Sequence, residues 1–355
     1  MNKNMIKSVL SLPTMSFHED AVATFVRFYS LGLGLKVVED KARNLLVEYK
    51  GSNVSGTTFA AHMDHPGFEV ISSKGLTSVV ALWGKVDPKF FAGSKVIVYT
   101  DDGAINGKID KKVLKQKHMG RFCFNLKTNS KVSVNDFGHY DLPAIRFEGD
   151  RIITRAADNL ISVSILLDLL TQLVNTKSKV NVSCLFTRAE EAGFLGAFAA
   201  IESGLASKKN PLVVLECSSA NGGKVDIGGG PVVRAGDLQS TYDPAVDIWL
   251  SGVAVNLAKE NKKFKYQRAL LQGGRCEACL YIAEGYKTGG LALPLGNYHN
   301  HGPKGYAAEY VSAKDYENLL NFVLKIAETP LQKDMLGQKV APLWKHYRGL
   351  KKKLF

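Results

Sequence analysis

After about residue 150 the sequence alternates apolar helical stretches with short apolar strands, and this alternation restricts the fold more than any other feature. "NLISVSILLDLLTQLV" (159 to 174) reads as a helix, "KVNVSCLFT" (179 to 187) as a strand, "FLGAFAAIES" (194 to 203) as a helix and "PLVVLEC" (211 to 217) as a strand. Strands separated by helices imply a mostly parallel sheet with helices on both faces. The N-terminal part has the same texture: "EDAVATFVRFYS" (19 to 30) has helical periodicity, and "LKVVED", "NLLVEYK" and the run ending at His62 read as strands. The predicted fold class is therefore α/β.

Between 66 and 149 the texture changes to short alternating runs, "SVVALWGKV", "SKVIVYT" and "KVSVNDF", separated by turn formers such as "TDDGAING". These runs predict a small β domain, barrel-like, inserted into a discontinuous domain made of 1 to 65 and 150 to 355. No internal repeat or low-complexity linker interrupts the pattern.

Composition narrows the function classes. With 355 residues, 45% of them hydrophobic and 22% charged, the chain can bury a large core. Its first residues hold a short apolar run broken by Pro13, which does not read as a secretory leader, and no stretch is expected to approach the roughly 20 apolar residues that span a bilayer. Five cysteines, an odd number, argue against a disulfide framework and for a reducing compartment, so the cytoplasm is expected. The net charge of +13 is concentrated in runs such as "DKKVLKQKHMGR", "KENKKFKYQR" and the tail "KHYRGLKKKLF". None carries a nucleic-acid motif, so these runs are read as solvated basic surface, with neither nucleic acid nor membrane expected as a partner.

The polar residues gain meaning from where they fall. In open α/β sheets, ligands collect outside the carboxyl ends of the strands. In "AAHMDHPGFEV", His62 and Asp64 stand two positions apart where a strand leaves the core, so their side chains project together. Taken alone, the pair is an edge histidine near a turn. Asp158 precedes a helix and could be its N-cap, and Glu190 with Glu191 could be a solvated turn. Glu216 closes an apolar strand, where an unpartnered charge is costly, and His299 and His301 follow another apolar run. Together His62, Asp158, Glu191, Glu216 and His299 form a set of nitrogen and oxygen donors near strand ends, enough for two Zn²⁺-like ions that share one carboxylate.

The order of motifs resembles that of the M42 metallo-aminopeptidases, the glutamyl and tetrahedral aminopeptidases related to the M28 and M20 peptidases. "AAHMDHPGFEV" is similar to that family's H-M-D-x-x-G-F segment, "LWGKVDPKFFAGSKVIV" to its G-G-W-D-P segment, and "TRAADNLISV" to its A-L-D-D-R-A-G stretch. "LFTRAEEAGFLGA", "VDIGGGPVVRAGD", "LQGGRCEACLYIAEG" and "LPLGNYHN" follow in matching order. The resemblance implies a zinc-peptidase-like catalytic domain, with an insert that serves assembly and substrate access. Two divalent ions, Zn²⁺ with Co²⁺ or Mn²⁺ as alternatives, would be held by His62, Asp158 and Glu216 and by Asp158, Glu191 and His299. Glu190 would be the general base acting on a water shared by the ions, and Asp64 would orient His62. The resemblance also implies a cis peptide after Asp158, a peptide substrate cleaved at its N-terminus, and a homo-oligomer.

Several positions depart from the family pattern. Glu216 stands where Asp is common, His65 and Pro66 replace an acidic and apolar pair, and Arg275, Cys276 and Glu277 replace a small residue, Thr and Asp. His301 rivals His299, although counting from Pro294 selects His299. Cys276 and Cys279 form a lone C-x-x-C within an expected helix and read as incidental. A metal-dependent deacylase on the same scaffold is the alternative enzyme, and an inactive basic binding protein the alternative outside enzymology.

Overall fold

The computed structural model describes residues 1–52, 56–205 and 207–354. Helices α1 (Lys3–Ser11) and α2 (Asp20–Gly32) lead into strands β1 (Lys36–Glu39), β2 (Leu45–Lys50) and β3 (Thr57–His62). Next come β4 (Gly67–Lys74), β5 (Thr77–Trp83), the short α3 (Pro88–Phe91), β6 (Lys95–Thr100), β7 (Gly103–His118), β8 (Arg121–Thr128) and β9 (Phe137–Tyr140). Strands β10 (Ile145–Glu148) and β11 (Arg151–Thr154) return the chain to α4 (Ala157–Thr176). Then follow β12 (Asn181–Thr187), α5 (Leu195–Glu202), β13 (Leu212–Ser219), β14 (Val232–Gly236), α6 (Pro244–Glu260), β15 (Gln267–Leu270), α7 (Ala278–Ala283) and β16 (Thr288–Leu295). The strand Glu309–Ser312, α8 (Ala313–Glu328) and α9 (Met335–Leu350) complete the order.

The central sheet runs β1-β2-β12-β3-β13-β16-β14-β15. The pairs β12/β3, β3/β13, β13/β16 and β14/β15 are parallel, and antiparallel pairs lie at β1/β2, β2/β12 and β14/β16. One face of the sheet packs against α1, α2, α4, α6 and α8, the other against α5 and α7. This is the α/β architecture that the alternation predicts, and four neighbouring strands (β12, β3, β13, β16) point their carboxyl ends the same way.

Helix α4 is the centre of the larger layer. Every residue from Ala157 to Leu170 is buried, because the sheet, α1 and α8 enclose it. A helix apolar on all sides is stable only when it is covered this way, and each fully buried leucine, such as Leu160 or Leu166, contributes roughly 1.5–3 kcal/mol. This corrects the expectation that no stretch approaches spanning length: α4 is long and apolar enough to cross a membrane, yet it is a core helix here. Of its two charged side chains, Asp158 stands at the start and Asp168 accepts the Asn2 backbone N–H at 3.0 Å.

Strands β4-β5-β8-β7-β6-β9 close into an antiparallel barrel around Phe68, Val98, Ile109, Phe124 and Leu126. Closure brings β9 hard against β6: a Cβ on Gly138 would stand 2.2 Å from the Ile97 carbonyl oxygen and 2.4 Å from the Phe68 ring. The basic run keeps its solvated character but is regular structure, and one strand reading is corrected. The basic run at 110 to 118 is part of β7, a strand whose register slips on either side of Val113 and so breaks the period-2 signal. "KVSVNDF" is mostly turn, since Asn135 is left-handed and the Asp136 carboxylate accepts the Ser133 N–H at 2.7 Å, so the strand begins only at Phe137. Cys276 likewise lies before α7, its sulfur 3.0 Å from the Tyr242 hydroxyl, and only Cys279 is helical.

His139 gives the barrel a specific acid sensitivity. Its ring is buried, with Nδ1–H donating to the Tyr140 carbonyl at 2.8 Å and Nε2 accepting from the Tyr99 hydroxyl at 3.0 Å. Burial holds its pKa down at about 3. The unfolded chain takes up a proton near 6.5 and the folded chain only near 3, so the stability associated with His139 is complete above pH 6.5 and is lost as pH falls toward 3. At pH 5 the loss is on the order of 2 kcal/mol. Denaturant unfolding between pH 7 and pH 5 should therefore be less pH-dependent for His139→Gln than for the unchanged chain; equal slopes would contradict this assignment.

Candidate metal centre

The four aligned carboxyl ends deliver the candidate residues to one place. β3 ends on His62, β12 runs into the loop carrying Glu190 and Glu191, β13 carries Glu216, and β16 leads to His299. Asp158 arrives from the opposite direction at the start of α4, where the Asp158–Asn159 peptide is cis and both residues are non-helical. The Asn159 side-chain amide donates to the Leu215 carbonyl at 2.8 Å and ties this turn to β13.

Asp64 organises the first two loops. Its Oδ1 accepts the Glu190 N–H at 3.0 Å, and its Oδ2 accepts the Glu191 N–H at 3.0 Å and the Ser16 hydroxyl at 2.7 Å. His62 Nδ1 lies 3.3 Å from Asp64 Oδ1 and 3.2 Å from the Asp64 carbonyl oxygen. An acceptor at Nδ1 fixes the proton there and leaves the Nε2 lone pair free. His299 is prepared in the same way, with Nδ1–H donating to the Lys85 carbonyl at 2.9 Å and Tyr298 stacked on the ring at 3.9 Å.

The free ends converge. His62 Nε2 is 3.4 Å from Asp158 Oδ1 and 3.6 Å from Glu216 Oε2, while His299 Nε2 is 2.9 Å from Glu191 Oε1 and 3.8 Å from Asp158 Oδ2. Asp158 thus turns one oxygen toward each histidine. Four donors at 2.0–2.1 Å around a tetrahedral ion stand about 3.3 Å apart, so these separations fit such an ion in each group. His62, Glu190 and Glu216 offer atoms all within 4.8 Å of one another, as do Asp158, Glu191 and His299. Glu190 thus lies beside His62 and Glu216, on the same side as Asp158 Oδ1.

Burial and charge agree with a cation-binding role. Asp158 Oδ1 and Glu216 Oε1 are buried without a hydrogen-bond partner, which is costly unless something else engages them. Burial, reinforced by Glu216 and Glu191, pushes the Asp158 carboxyl up to about 6, and burial with the same neighbours holds Glu190 well above the carboxylate range. Burial alone would depress His299, but Glu191 and Asp158 outweigh it and hold the ring at about 9. The cluster carries more buried negative charge than two imidazoles can balance.

Residue-type reasoning missed several supports. Glu309, fully buried, accepts the Asp158 N–H at 3.0 Å through Oε2 and the His299 N–H at 2.8 Å through Oε1, and so links the two sides of the second group. The one sequence hint was a glutamate opening the apolar run "EYVS". His65 bonds the Asp158 carbonyl through Nδ1 and meets Asn300 Oδ1 at 3.1 Å through Nε2. Glu277 accepts the Thr187 hydroxyl at 2.8 Å, and burial raises its carboxyl to about 7. His301 joins neither group: it stacks on Phe90 at 4.3 Å and accepts the Asp87 N–H.

A model of M42 glutamyl aminopeptidases matches residues 124–322. No curated protein matches the chain in sequence. Among solved structures, it is similar to an aminopeptidase from the archaeon Desulfurococcus kamchatkensis, with 23% identity and a TM-score of 0.77 over 92% of this chain and 94% of that one. A TET aminopeptidase from a marine sediment Thaumarchaeota archaeon gives 19% identity and a TM-score of 0.79 over 95% and 99%. The TET1 peptidase of Pyrococcus horikoshii, which can assemble into a tetrahedron or a large octahedral shell, gives 20% and 0.75 over 92% and 98%. At these identities the structural likeness establishes the fold. The family match covers more than half of the chain and includes the loops that carry Asp158, Glu190, Glu191, Glu216 and His299, and on that ground the chain belongs to the M42 glutamyl aminopeptidase family of hydrolases.

Proposed function

We propose that the chain is a two-metal aminopeptidase that removes residues from the free N-terminus of peptides. The observation that carries this reading is Asp158, whose two oxygens face two separate donor groups with Glu190 beside them. His62 and Glu216 would hold one divalent cation, Glu191 and His299 the other, and Asp158 both. The nitrogen and oxygen donor set suits Zn²⁺, with Co²⁺ or Mn²⁺ as substitutes. When bound, the two ions supply a water acidified toward pKa 7 and polarise the scissile carbonyl.

The chain's own residues do the rest. Glu190, which burial and the neighbouring Glu216 and Glu191 carboxylates hold above the usual carboxylate range, would take the water's proton and pass it to the leaving amine. Asp64 holds His62 in the tautomer that presents Nε2, and Glu309 fixes the backbones of Asp158 and His299. We further place the chain in the cytoplasm, a reading supported by its five unpaired cysteines, and propose a homo-oligomer by analogy with the assembling TET1 relative.

A panel of aminoacyl chromogenic substrates, N-acylated amino acids and N-blocked peptides, with and without Zn²⁺ or Co²⁺, tests the activity. Cleavage restricted to unblocked substrates and dependent on the metal is expected. Hydrolysis of the N-acylated amino acids alone would replace this reading with the deacylase.

A further inference from the structure

Helix α9 begins on the body of the protein and then leaves it. Leu331 and Met335 pack against the main core, and the Trp249 indole N–H donates to the Thr329 carbonyl at 2.7 Å, which fixes the segment that leads into the helix. Beyond that anchor no residue of α9 is buried. Its exposed residues are not the polar set a solvated helix shows: Leu343 is 67% exposed, Trp344 57% and Leu336 52%, and Val340, Tyr347 and Leu350 lie beside them. At 3.6 residues per turn these six side chains fall within an arc of about 120°.

Charge frames the arc. From residue 333 onward the sequence carries Lys333, Lys339, Lys345, Arg348 and Lys351 to Lys353 against the single acid Asp334. Lys339 borders one side of the apolar arc and Arg348 the other, and the three lysines follow the helix as one exposed turn. Nearly half of the protein's +13 sits here.

We propose that α9 binds the surface of an anionic phospholipid bilayer, lying along it with Leu343, Trp344 and Tyr347 among the headgroups and the lysines on lipid phosphates. A bilayer supplies both an apolar layer and a sheet of negative charge parallel to the helix axis, and this combination of residues is what interfacial helices present. A second copy of α9 would set lysines against lysines, and nucleic acid would satisfy the cations but leave the leucine arc in water. Surface binding needs no spanning segment, and it departs from the expectation that the basic tail is solvated surface with no membrane partner.

The test uses the full chain with vesicles of phosphatidylcholine alone or of equal parts phosphatidylcholine and phosphatidylglycerol. Trp83 and Trp249 are 4% and 2% exposed, so a change in tryptophan emission reports on Trp344. The expected result is co-sedimentation with the anionic vesicles only, a blue-shifted emission, and weakening at high salt. Replacing Lys351, Lys352 and Lys353 by Gln should lower partitioning roughly 100-fold. The double substitution Leu343→Ser with Trp344→Ser should abolish co-sedimentation while the melting transition stays unchanged. No binding to either vesicle, equal binding to both, or a double variant that changes oligomer size and still sediments with vesicles would each overturn the proposal.

Discussion

Replacing Glu190 by Gln leaves metal content unchanged and lowers hydrolysis of a cleaved aminoacyl substrate by roughly 10²–10⁴-fold, the range that a positioned general base supplies. The substitution keeps the size of the side chain and its backbone N–H bond to Asp64, and it removes only the group that accepts a proton. Because His62, Asp158, Glu191, Glu216 and His299 are untouched, elemental analysis should still find two ions per chain. Full turnover in Glu190→Gln would assign the base elsewhere. Loss of the ions would instead make Glu190 a ligand, the role that its closeness to His62 and Glu216 leaves open to test.

Asp158→Ala has the opposite signature. The carboxylate faces His62 at 3.4 Å and His299 at 3.8 Å, so its loss strips a donor from both groups at once. Metal affinity should fall by more than the roughly 10–100-fold that accompanies loss of an outer-shell partner, and hydrolysis should fall with it. Restoring activity by raising Zn²⁺ would indicate weakened binding through the remaining donors. Retention of both ions at unchanged affinity would show that Asp158 is not shared, and the two-ion scheme would then be abandoned.

The histidines show how far the sequence could be read. The period-2 geometry of a strand already placed His62 and Asp64 on one side, and the structure has them 3.3 Å apart. Choosing between His299 and His301 was harder, since both follow the same apolar strand. What separates them is the turn after β16, with Asn297, His299 and Asn300 all left-handed, which sends His299 toward Asp158 and His301 onto Phe90. That turn depends on Glu309 and on the Lys85 carbonyl, which are distant in sequence. The long strand β7 was hidden for a related reason: its bulges break the alternation that identifies a half-buried strand, and its lysines resemble a loop.

The sequence by itself determined the α/β alternation, the β texture between the two α/β parts and the placing of donor residues at strand ends, because apolar periodicity is a local property that burial then rewards; where bulges or turns break the period, as in β7 and 131 to 136, it did not. Tertiary structure alone decided which donors meet. Distances among His62, Asp158, Glu191, Glu216 and His299 follow from strand order, and strand order follows from how helices cover the sheet, a property of the whole packed chain. The supporting acids Asp64 and Glu309 belong to the same level, since each acts by accepting backbone N–H groups from segments that only folding brings together.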